Sequence, residues 1–217
     1  MLDTFRAFVD IAYAALSRAP LDEWQRVTRG HEEVIDEYTH ALGELALYRL
    51  GYGYRDLLGA LYMRLEISNA RAGQFFTPWE VAYFMAQLQF HDIGRVPTFD
   101  DPVRVLDPAC GSGVMLLAGA ATLPPAWVER GLARFVGVDI DPTCAAIARL
   151  NLRIHGLRGE IVCGDSLRMG IAATPVSDRT EGVGQDPPAL IALPPGGTPA
   201  PRKKKIPLLA PDLGVAE

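Results

Sequence analysis

Residues 103–121 read VRVLDPACGSGVMLLAGAA. The apolar beginning predicts a buried strand that ends at Asp107, and the glycine-rich letters predict a tight turn into a helix. Gly111 and Gly113 let the backbone approach a ligand closely, and the N–H groups at the start of the helix would face an anionic group. Taken alone, this stretch is explained equally well as a plain connection between a strand and a helix.

Two later segments repeat the strand pattern. They read RFVGVDI at residues 134–140 and EIVCGD at residues 160–165, and helical segments separate the three strands. This alternation predicts βαβ units and a parallel sheet. Asp107, Asp139 and Asp165 would then lie at the carboxyl ends of successive strands, where such sheets bind ligands and where a carboxylate accepts hydrogen bonds from ribose hydroxyls.

A further acidic residue lies close to the second strand. Asp141 is followed by Pro142, and this pair has the form of a helix N-cap and a first helical residue. We therefore interpret Asp141 as a cap and not as a ligand of the site.

Upstream, residues 73–81 read GQFFTPWEV. The order of residue types predicts a capping box at the start of a helix, formed by Thr77, Pro78 and Glu80. Phe75 and Phe76 lie in the loop before this cap, where their rings could line a cofactor pocket or pack into the core. Core packing is the interpretation that the sequence alone favours.

The first third of the chain has the apolar spacing of helices. A first helix is predicted from an apolar stripe, Phe5, Phe8, Val9, Ala12 and Leu16. Pro20 closes this helix, and Asp22 would cap a longer helical region after it. Gly51 and Gly53 interrupt the pattern before it resumes. We interpret residues 1–66 as a helical subdomain that packs against the α/β domain, with helix-mediated oligomerisation as the alternative.

The composition is that of a soluble globular protein, with 49% hydrophobic and 22% charged residues. The formal net charge is −5, so no global charge excess indicates nucleic-acid binding. Cys110, Cys144 and Cys163 lack metal-binding spacing and indicate reduced thiols in a cytoplasm. Charged residues interrupt the N-terminal apolar stretch and no run reaches the roughly 20 apolar residues of a membrane span, so neither a signal peptide nor a transmembrane helix is expected.

The last 47 residues have a different composition, with nine of the 17 prolines and the basic run RKKK at residues 202–205. Within them only ALIAL, residues 189–193, has the pattern of a strand. We expect residues 196–217 to form a Pro-rich basic tail that is poorly ordered. The basic run could contact phosphates, but a solvated segment is the simpler interpretation.

Four segments together resemble the N6-adenine-specific DNA methyltransferases, and among them the modification subunit of type I restriction-modification systems. The segments are GQFFTP, LDPACGSG, GVDIDPTCAAIARLNLRIHG and GDSL, whose order and spacing match over roughly residues 70–167. The resemblance implies a doubly wound, Rossmann-like sheet that binds S-adenosylmethionine, covering residues 67–195 and preceded by a helical region. It also implies direct transfer of a methyl group to adenine N6 in DNA, without a metal.

The resemblance also implies which residues contact S-adenosylmethionine. The methionine end would be lined by Phe76, Thr77 and Pro78. The amino-acid moiety would be surrounded by Asp107, Ala109, Cys110, Gly111 and Gly113. The ribose and one face of the adenine ring would be held by Asp139 and Ile140. The adenine edge would meet Asp165, Ser166 and Leu167.

The chain departs from the family at the catalytic motif. The family has an Asn or Asp, two prolines and an aromatic residue after its fourth strand, which bind and stack on a flipped-out adenine. Here Pro194 and Pro195 are kept, but Leu193 and Gly196 replace the hydrogen-bonding and stacking residues. The alternative alignment, DPPA at residues 186–189, keeps an acid but follows no strand. Only about 20 residues come after LPPG, so we expect a C-terminally shortened sheet.

Three functions are therefore weighed. The first is a DNA adenine methyltransferase that needs a partner, either a specificity subunit or a second methyltransferase subunit, to act on DNA. The second is a catalytically silent protein that binds the cofactor and serves in assembly, which the residues at 193 and 196 favour. The third is a methyltransferase with another substrate, and the GQFFTP segment argues against it.

Overall fold

Three parallel strands form the sheet of this protein, in the order β1-β2-β3. They are β1 (Val103–Asp107), β2 (Ala133–Asp139) and β3 (Gly159–Cys163). In the register of the sheet Asp107 lies opposite Gly137, and Asp139 lies opposite Cys163. The α/β fold class with a parallel sheet is confirmed, and the order matches one half of a doubly wound sheet.

The computed structural model describes residues 2–65 and 76–168. All of these belong to the first of two compact units, Met1–Pro187. The second unit, Pro188–Glu217, lies outside the described residues, and so do the predicted strand at 189–193 and the predicted tail at 196–217.

Two helices connect the strands and bury one face of the sheet. They are α6 (Val114–Thr122) and α8 (Pro142–Ile154), with a short α7 (Pro125–Glu129) after α6. Their apolar residues form one core cluster with Val105, Phe135 and Ile161 of the three strands. Right-handed crossovers that step in the same direction place both helices on the same face. Alternate residues point to the opposite face, where Leu106 is 52% exposed.

Five helical elements lie within residues 2–64, one of them a single 3-10 turn. They are α1 (Leu2–Ser17), α2 (Leu21–Thr28), the 3-10 turn Glu32–Val34, α3 (Ile35–Tyr52) and α4 (Leu57–Arg64). The first helix and its apolar stripe are confirmed. The longer helical region is wrong as predicted, because it is divided in two around Gly30, whose φ is +79°. Asp22 is not a cap, since α2 begins at Leu21 and Pro20 occupies the N-cap position.

The N-terminal helices pack on the α/β part through α1 and α8. Phe5, Phe8 and Val9 of α1 form a second core cluster with Ile147 and Leu150 of α8. Both faces of α8 are therefore buried, one against the sheet and one against α1, as expected for a helix with eight buried residues. The boundary at residue 66 and a homo-oligomer formed by these helices stay predictions.

The interpretation of Asp141 as a helix cap is confirmed. Its Oδ1 accepts hydrogen bonds from the backbone N–H groups of Thr143 at 2.7 Å and Cys144 at 3.0 Å, and Pro142 occupies the first helical position. Within the described ranges no helix combines the length and the apolar character that a membrane span needs.

Two helical glycines differ in their surroundings and give a matched test of the packing. A Cβ atom added at Gly43 of α3 would meet nothing within 4 Å, whereas one added at Gly59 of α4 would overlap Asp56 and Ser112. Because alanine is the better helix former, we expect Gly43→Ala to raise the free energy of unfolding by about 0.5–1 kcal/mol. Gly59→Ala should instead lower it by about 1–3 kcal/mol, because the added methyl group overpacks the contact.

Urea unfolding of the two variants measures this difference. A Gly59→Ala variant as stable as Gly43→Ala would contradict the close approach of α4 to Ser112.

A buried histidine makes the stability depend on pH. His155 is 4% exposed, and its Nε2 lies 3.0 Å from the carbonyl oxygen of Arg55. Burial is the main cause that lowers the pKa of His155 from 6.5 to about 4. The unfolded chain therefore takes up a proton as the pH falls below 6.5 while the folded chain does not, so this group's contribution decreases the free energy of unfolding by about 2 kcal/mol between pH 7 and pH 5.

Urea unfolding at several pH values, compared with His155→Gln, isolates this contribution. Glutamine keeps a donor for the carbonyl oxygen of Arg55 but does not titrate, so the variant should lose that part of the pH dependence. Equal pH dependence in the two proteins would show that His155 titrates normally in the fold.

Candidate functional site

The glycine-rich turn after β1 is held by backbone hydrogen bonds to the end of β2. Cys110 N–H donates to the carbonyl oxygen of Val138 at 2.9 Å, and Gly111 N–H donates to Oδ2 of Asp139 at 2.7 Å. Gly111 and Gly113 have φ angles of +54° and +90°, which side chains rarely tolerate. The turn therefore needs glycine at both positions, as predicted from the sequence.

Asp139 has acceptor capacity beyond the bonds that hold the turn. Besides Gly111, its other oxygen Oδ1 accepts from the N–H of Asp141 at 2.9 Å. A carboxylate has about four lone-pair positions, so two remain for donors from a ligand. The side chain lies at the carboxyl end of the middle strand, which is the position expected for a group that binds ribose hydroxyls.

Asp107 lies beside it at the end of β1. Its Oδ1 accepts from the N–H of Ala109 at 3.0 Å, which bends the chain into the turn. Burial raises the pKa of Asp107, and the nearby charge of Asp139 raises it further. The structure thus brings two carboxylates and the glycine-rich turn together at one sheet edge, as the parallel strands predict.

The segment after β3 adds a third acid and an exposed apolar side chain. Oδ1 of Asp165 accepts from the N–H of Leu167 at 3.0 Å, and its Oδ2 lies 3.3 Å from Nε of Arg168. Leu167 is 89% exposed and Ile140, which follows β2, is 71% exposed. Ser166 lies in the turn between Asp165 and Leu167. Two large apolar side chains are therefore accessible next to the carboxylates, where a flat ring could contact them.

Residues 76–78, the FTP segment, pack against the glycine-rich turn from the N-terminal side. A Cβ atom at Gly111 would be 3.2 Å from the ring of Phe76, and that ring stacks on Tyr62 of α4 with centroids 5.8 Å apart. Phe76 is partly buried and belongs to the core cluster of α1 and α8. Core packing of Phe76 is confirmed, although the same ring also borders the site. Phe75 lies outside the described residues.

The capping box predicted at Thr77 is wrong. The helix α5 (Trp79–Phe90) begins one residue later, Pro78 is at its N-cap position, and no side chain caps it. The start of α5 is held by packing instead, because the guanidinium of Arg55 lies 4.4 Å from the ring centroid of Trp79. Thr77 is therefore not engaged as a cap.

A cavity of about 350 Å³ adjoins this part of the site. At one end it is lined by Thr77, Asp107 and Ala109, and it extends between α5 and α6 along β1. Val103 N–H donates towards β2, so the alternating backbone groups of Arg104 and Leu106 face the opposite edge. No described strand pairs with that edge. The cavity thus continues from the predicted methionine end of the site along the edge of β1 that is not paired with a described strand.

The side chain of Cys110 does not face the site. It is 3% exposed and belongs to the core under the sheet, where burial is the main cause that raises its pKa to about 12. Only the main chain of Cys110 is available to a ligand. Pro194 and Pro195, the remnant of the catalytic motif, lie outside the described residues.

Sequence reasoning missed a buried polar cluster behind the turn. It consists of Asp56, Ser112 and Asn151, which come from three distant parts of the chain. Asp56 carries the signal of a helix cap, since α4 starts directly after it. Nothing in the spacing shows that Ser112 and Asn151 approach it, because the three residues meet only when α4 packs on α8.

Comparison with known proteins agrees with this geometry. Residues 54–182, more than half of the chain, match the family described as N-6 DNA Methylase. A type I restriction enzyme methylase subunit of Methanocaldococcus jannaschii, MjaVII, is 27% identical over 149 residues, which are 65% of this chain and 24% of that protein. A second from the same organism, MjaVIII, is 34% identical over 106 residues, or 46% of this chain and 16% of that protein.

A solved structure is also similar. It is the type I restriction-modification system methyltransferase subunit from Streptococcus thermophilus, with a TM-score of 0.41, 20% sequence identity, and coverage of 79% of this chain and 42% of that one. The chain spans about a quarter or less of the curated relatives named above. Since the match to the family covers the FTP segment, the glycine-rich turn and all three strand ends, this chain belongs to the N-6 DNA methylase family.

Proposed function

We propose that this chain binds S-adenosylmethionine at the carboxyl edge of its sheet, for methyl transfer to adenine N6 in DNA. The observation that carries the proposal is the bond from Gly111 N–H to the Asp139 carboxylate, which joins the glycine-rich turn to the strand end where doubly wound sheets bind ribose. Family membership supports the chemistry. The curated relatives are named as methylase subunits of type I restriction enzymes, which supports DNA as the substrate.

The described residues fit the cofactor in charge and polarity. Asp139 keeps acceptor positions for the ribose hydroxyls, and the exposed side chains of Ile140 and Leu167 offer apolar contact to the adenine ring. Asp107 can accept from the ammonium group of the amino-acid moiety, since an opposite charge favours the ionised carboxylate against the burial that raises its pKa. When bound, S-adenosylmethionine supplies a methyl group activated by its positively charged sulfur.

The residues of this chain would hold and orient the cofactor. The turn excludes side chains where the backbone must approach, because Gly111 and Gly113 have positive φ angles. Phe76 covers the turn from one side, and Thr77 faces the cavity that starts beside Asp107. The acceptor groups for the adenine amine belong to the motif near Pro194, so they must come from that part of the chain or from a partner.

The proposal extends to a partner subunit and to the cellular compartment of this protein. We infer a specificity subunit or a second methyltransferase subunit, because the net charge of −5 provides no basic surface excess for DNA by itself. The three cysteines are free thiols, and two of them are buried, which is compatible with a reducing cytoplasm.

A second candidate function is a catalytically silent cofactor-binding subunit. The specific observation in its favour is that Leu193 cannot accept a hydrogen bond from the adenine amine and Gly196 has no ring to stack on the base. In this case the cofactor site would stabilise an assembly and would not support transfer.

Calorimetric titration with S-adenosylmethionine tests the binding site. Asp139→Ala should weaken binding by about tenfold to a hundredfold, because hydrogen bonds to a charged group contribute about 1.5–3 kcal/mol. Glu160→Gln is the matched control, since it removes the same charge from an exposed position near the amino end of β3, away from the carboxyl ends of the strands. An unmodified chain that does not bind would overturn the proposal, and equal affinities would remove Asp139 from the site.

Transfer of a labelled methyl group to adenine-containing DNA separates the two candidate functions. The double substitution Leu193→Asn and Gly196→Tyr restores an acceptor and a ring, so we expect it to increase methylation at least tenfold over the unmodified chain. Adding Asp139→Ala should abolish the increase. Transfer by the unmodified chain would favour the enzyme, whereas transfer by the double variant alone would favour the silent subunit.

A further inference from the structure

A partly buried carboxyl group joins three elements directly behind the glycine-rich turn. Oδ1 of Asp56 accepts from the N–H of Gly59 in α4 at 2.8 Å and from Nδ2 of Asn151 in α8 at 2.8 Å. Its Oδ2 accepts from the hydroxyl of Ser112, which lies between the two glycines of the turn. Asn151 also donates to the carbonyl oxygen of Ser112 at 2.9 Å. The four residues form one network around a single carboxyl group.

Two members of this network are shielded from water, while the residue Asp56 is partly buried. Ser112 is 0% and Asn151 1% exposed. Burial raises the pKa of Asp56, while its three hydrogen-bond donors act in the opposite direction. Removal of one partner leaves a buried polar group without a donor or acceptor, which is more costly than a bond lost at the surface.

The helix α4 approaches the side chain of Ser112 closely at Gly59. Gly59 is buried within α4, and a Cβ atom there would collide with Asp56 and Ser112. A glycine inside a helix is otherwise unfavourable, so its presence is explained by the close approach of the turn. The backbone of α4 therefore lies directly against the back of the turn.

The same helix supports the site from a second direction. Tyr62 of α4 stacks on Phe76, and the ring of Phe76 lies against Gly111. The N–H of Gly111 faces forwards, to the carboxylate of Asp139. The turn is thus held at its front by β2 and at its back by α4.

We propose that Asp56 is a positioning residue that fixes the glycine-rich turn through Ser112 and so couples S-adenosylmethionine affinity to the docking of α4. The inference rests on the proposed cofactor site and adds its control by α4. Asp56 itself would not contact the cofactor. It acts through Ser112, whose side chain is fully buried on the side of α4. A purely structural role would lower stability and leave the affinity of the folded protein unchanged.

The experiment compares variants of the full chain at a temperature where all remain folded. Ser112→Ala and Asp56→Ala remove the link, whereas Asp56→Asn keeps an oxygen for Gly59 and Asn151 and an amide that can donate to Ser112. Val9→Ala is the matched control, because it destabilises the fully buried contact of α1 without touching the turn. Two quantities are measured: the dissociation constant for S-adenosylmethionine, and the hydrogen-exchange rate of the Gly111 amide without cofactor.

We expect Ser112→Ala and Asp56→Ala to weaken binding about tenfold, a typical coupling between two sites. Both should also speed exchange at Gly111, whereas Asp56→Asn and Val9→Ala should stay close to the unmodified chain. Lower thermal stability with unchanged affinity and exchange would overturn the positioning role.

The two readouts keep this inference separate from the proposed function. An unmodified chain that does not bind S-adenosylmethionine overturns the proposed function, and the exchange rates then decide the role of Asp56 alone. An unchanged hydrogen-exchange rate at Gly111 in both alanine variants overturns the positioning role of Asp56.

Discussion

The hydrogen bonds of one carboxyl group, that of Asp56, join three parts of this fold. Asp56 can be removed from water only if its donors are in place, and these come from α4, the glycine-rich turn and α8. The turn, the main crossover helix and the N-terminal helices must therefore assemble together. The apolar packing of α1 on the outer side of α8 acts in the same direction, because it holds the N-terminal helices on the α/β part.

The chemistry of the site follows from the direction of the strands. Parallel strands end at the same edge, so acids distant in sequence, Asp107, Asp139 and Asp165, lie after neighbouring strands. A carboxylate can bond both to the backbone of a neighbouring turn and to a ligand, and Asp139 shows the first of these bonds. The described part of the site is thus suited to hold a polar cofactor, while the position of the family's catalytic motif, residues 193–196, lies in a later part of the chain.

The open edge of β1 gives the described sheet its asymmetry. One face is buried under α6 and α8, but the other carries exposed side chains such as Leu106, and the cavity runs along the edge of β1 that lacks a partner among the described strands. Parallel sheets are normally covered on both faces. The sheet of residues 103–163 therefore corresponds to one half of a doubly wound arrangement, and it lies within the residues that match the family.

The sequence by itself determined the three strands, the alternation with helices, the glycine-rich turn and the cap at Asp141, because each depends on local periodicity or on the conformational limits of glycine and proline. It also identified the family through four short segments. It did not determine the start of α5, where the packing of Trp79 on Arg55 replaces the expected cap. Only the tertiary structure decided that Asp56 meets Ser112 and Asn151, since hydrogen bonds between residues 39 to 95 positions apart leave no periodic trace in the sequence.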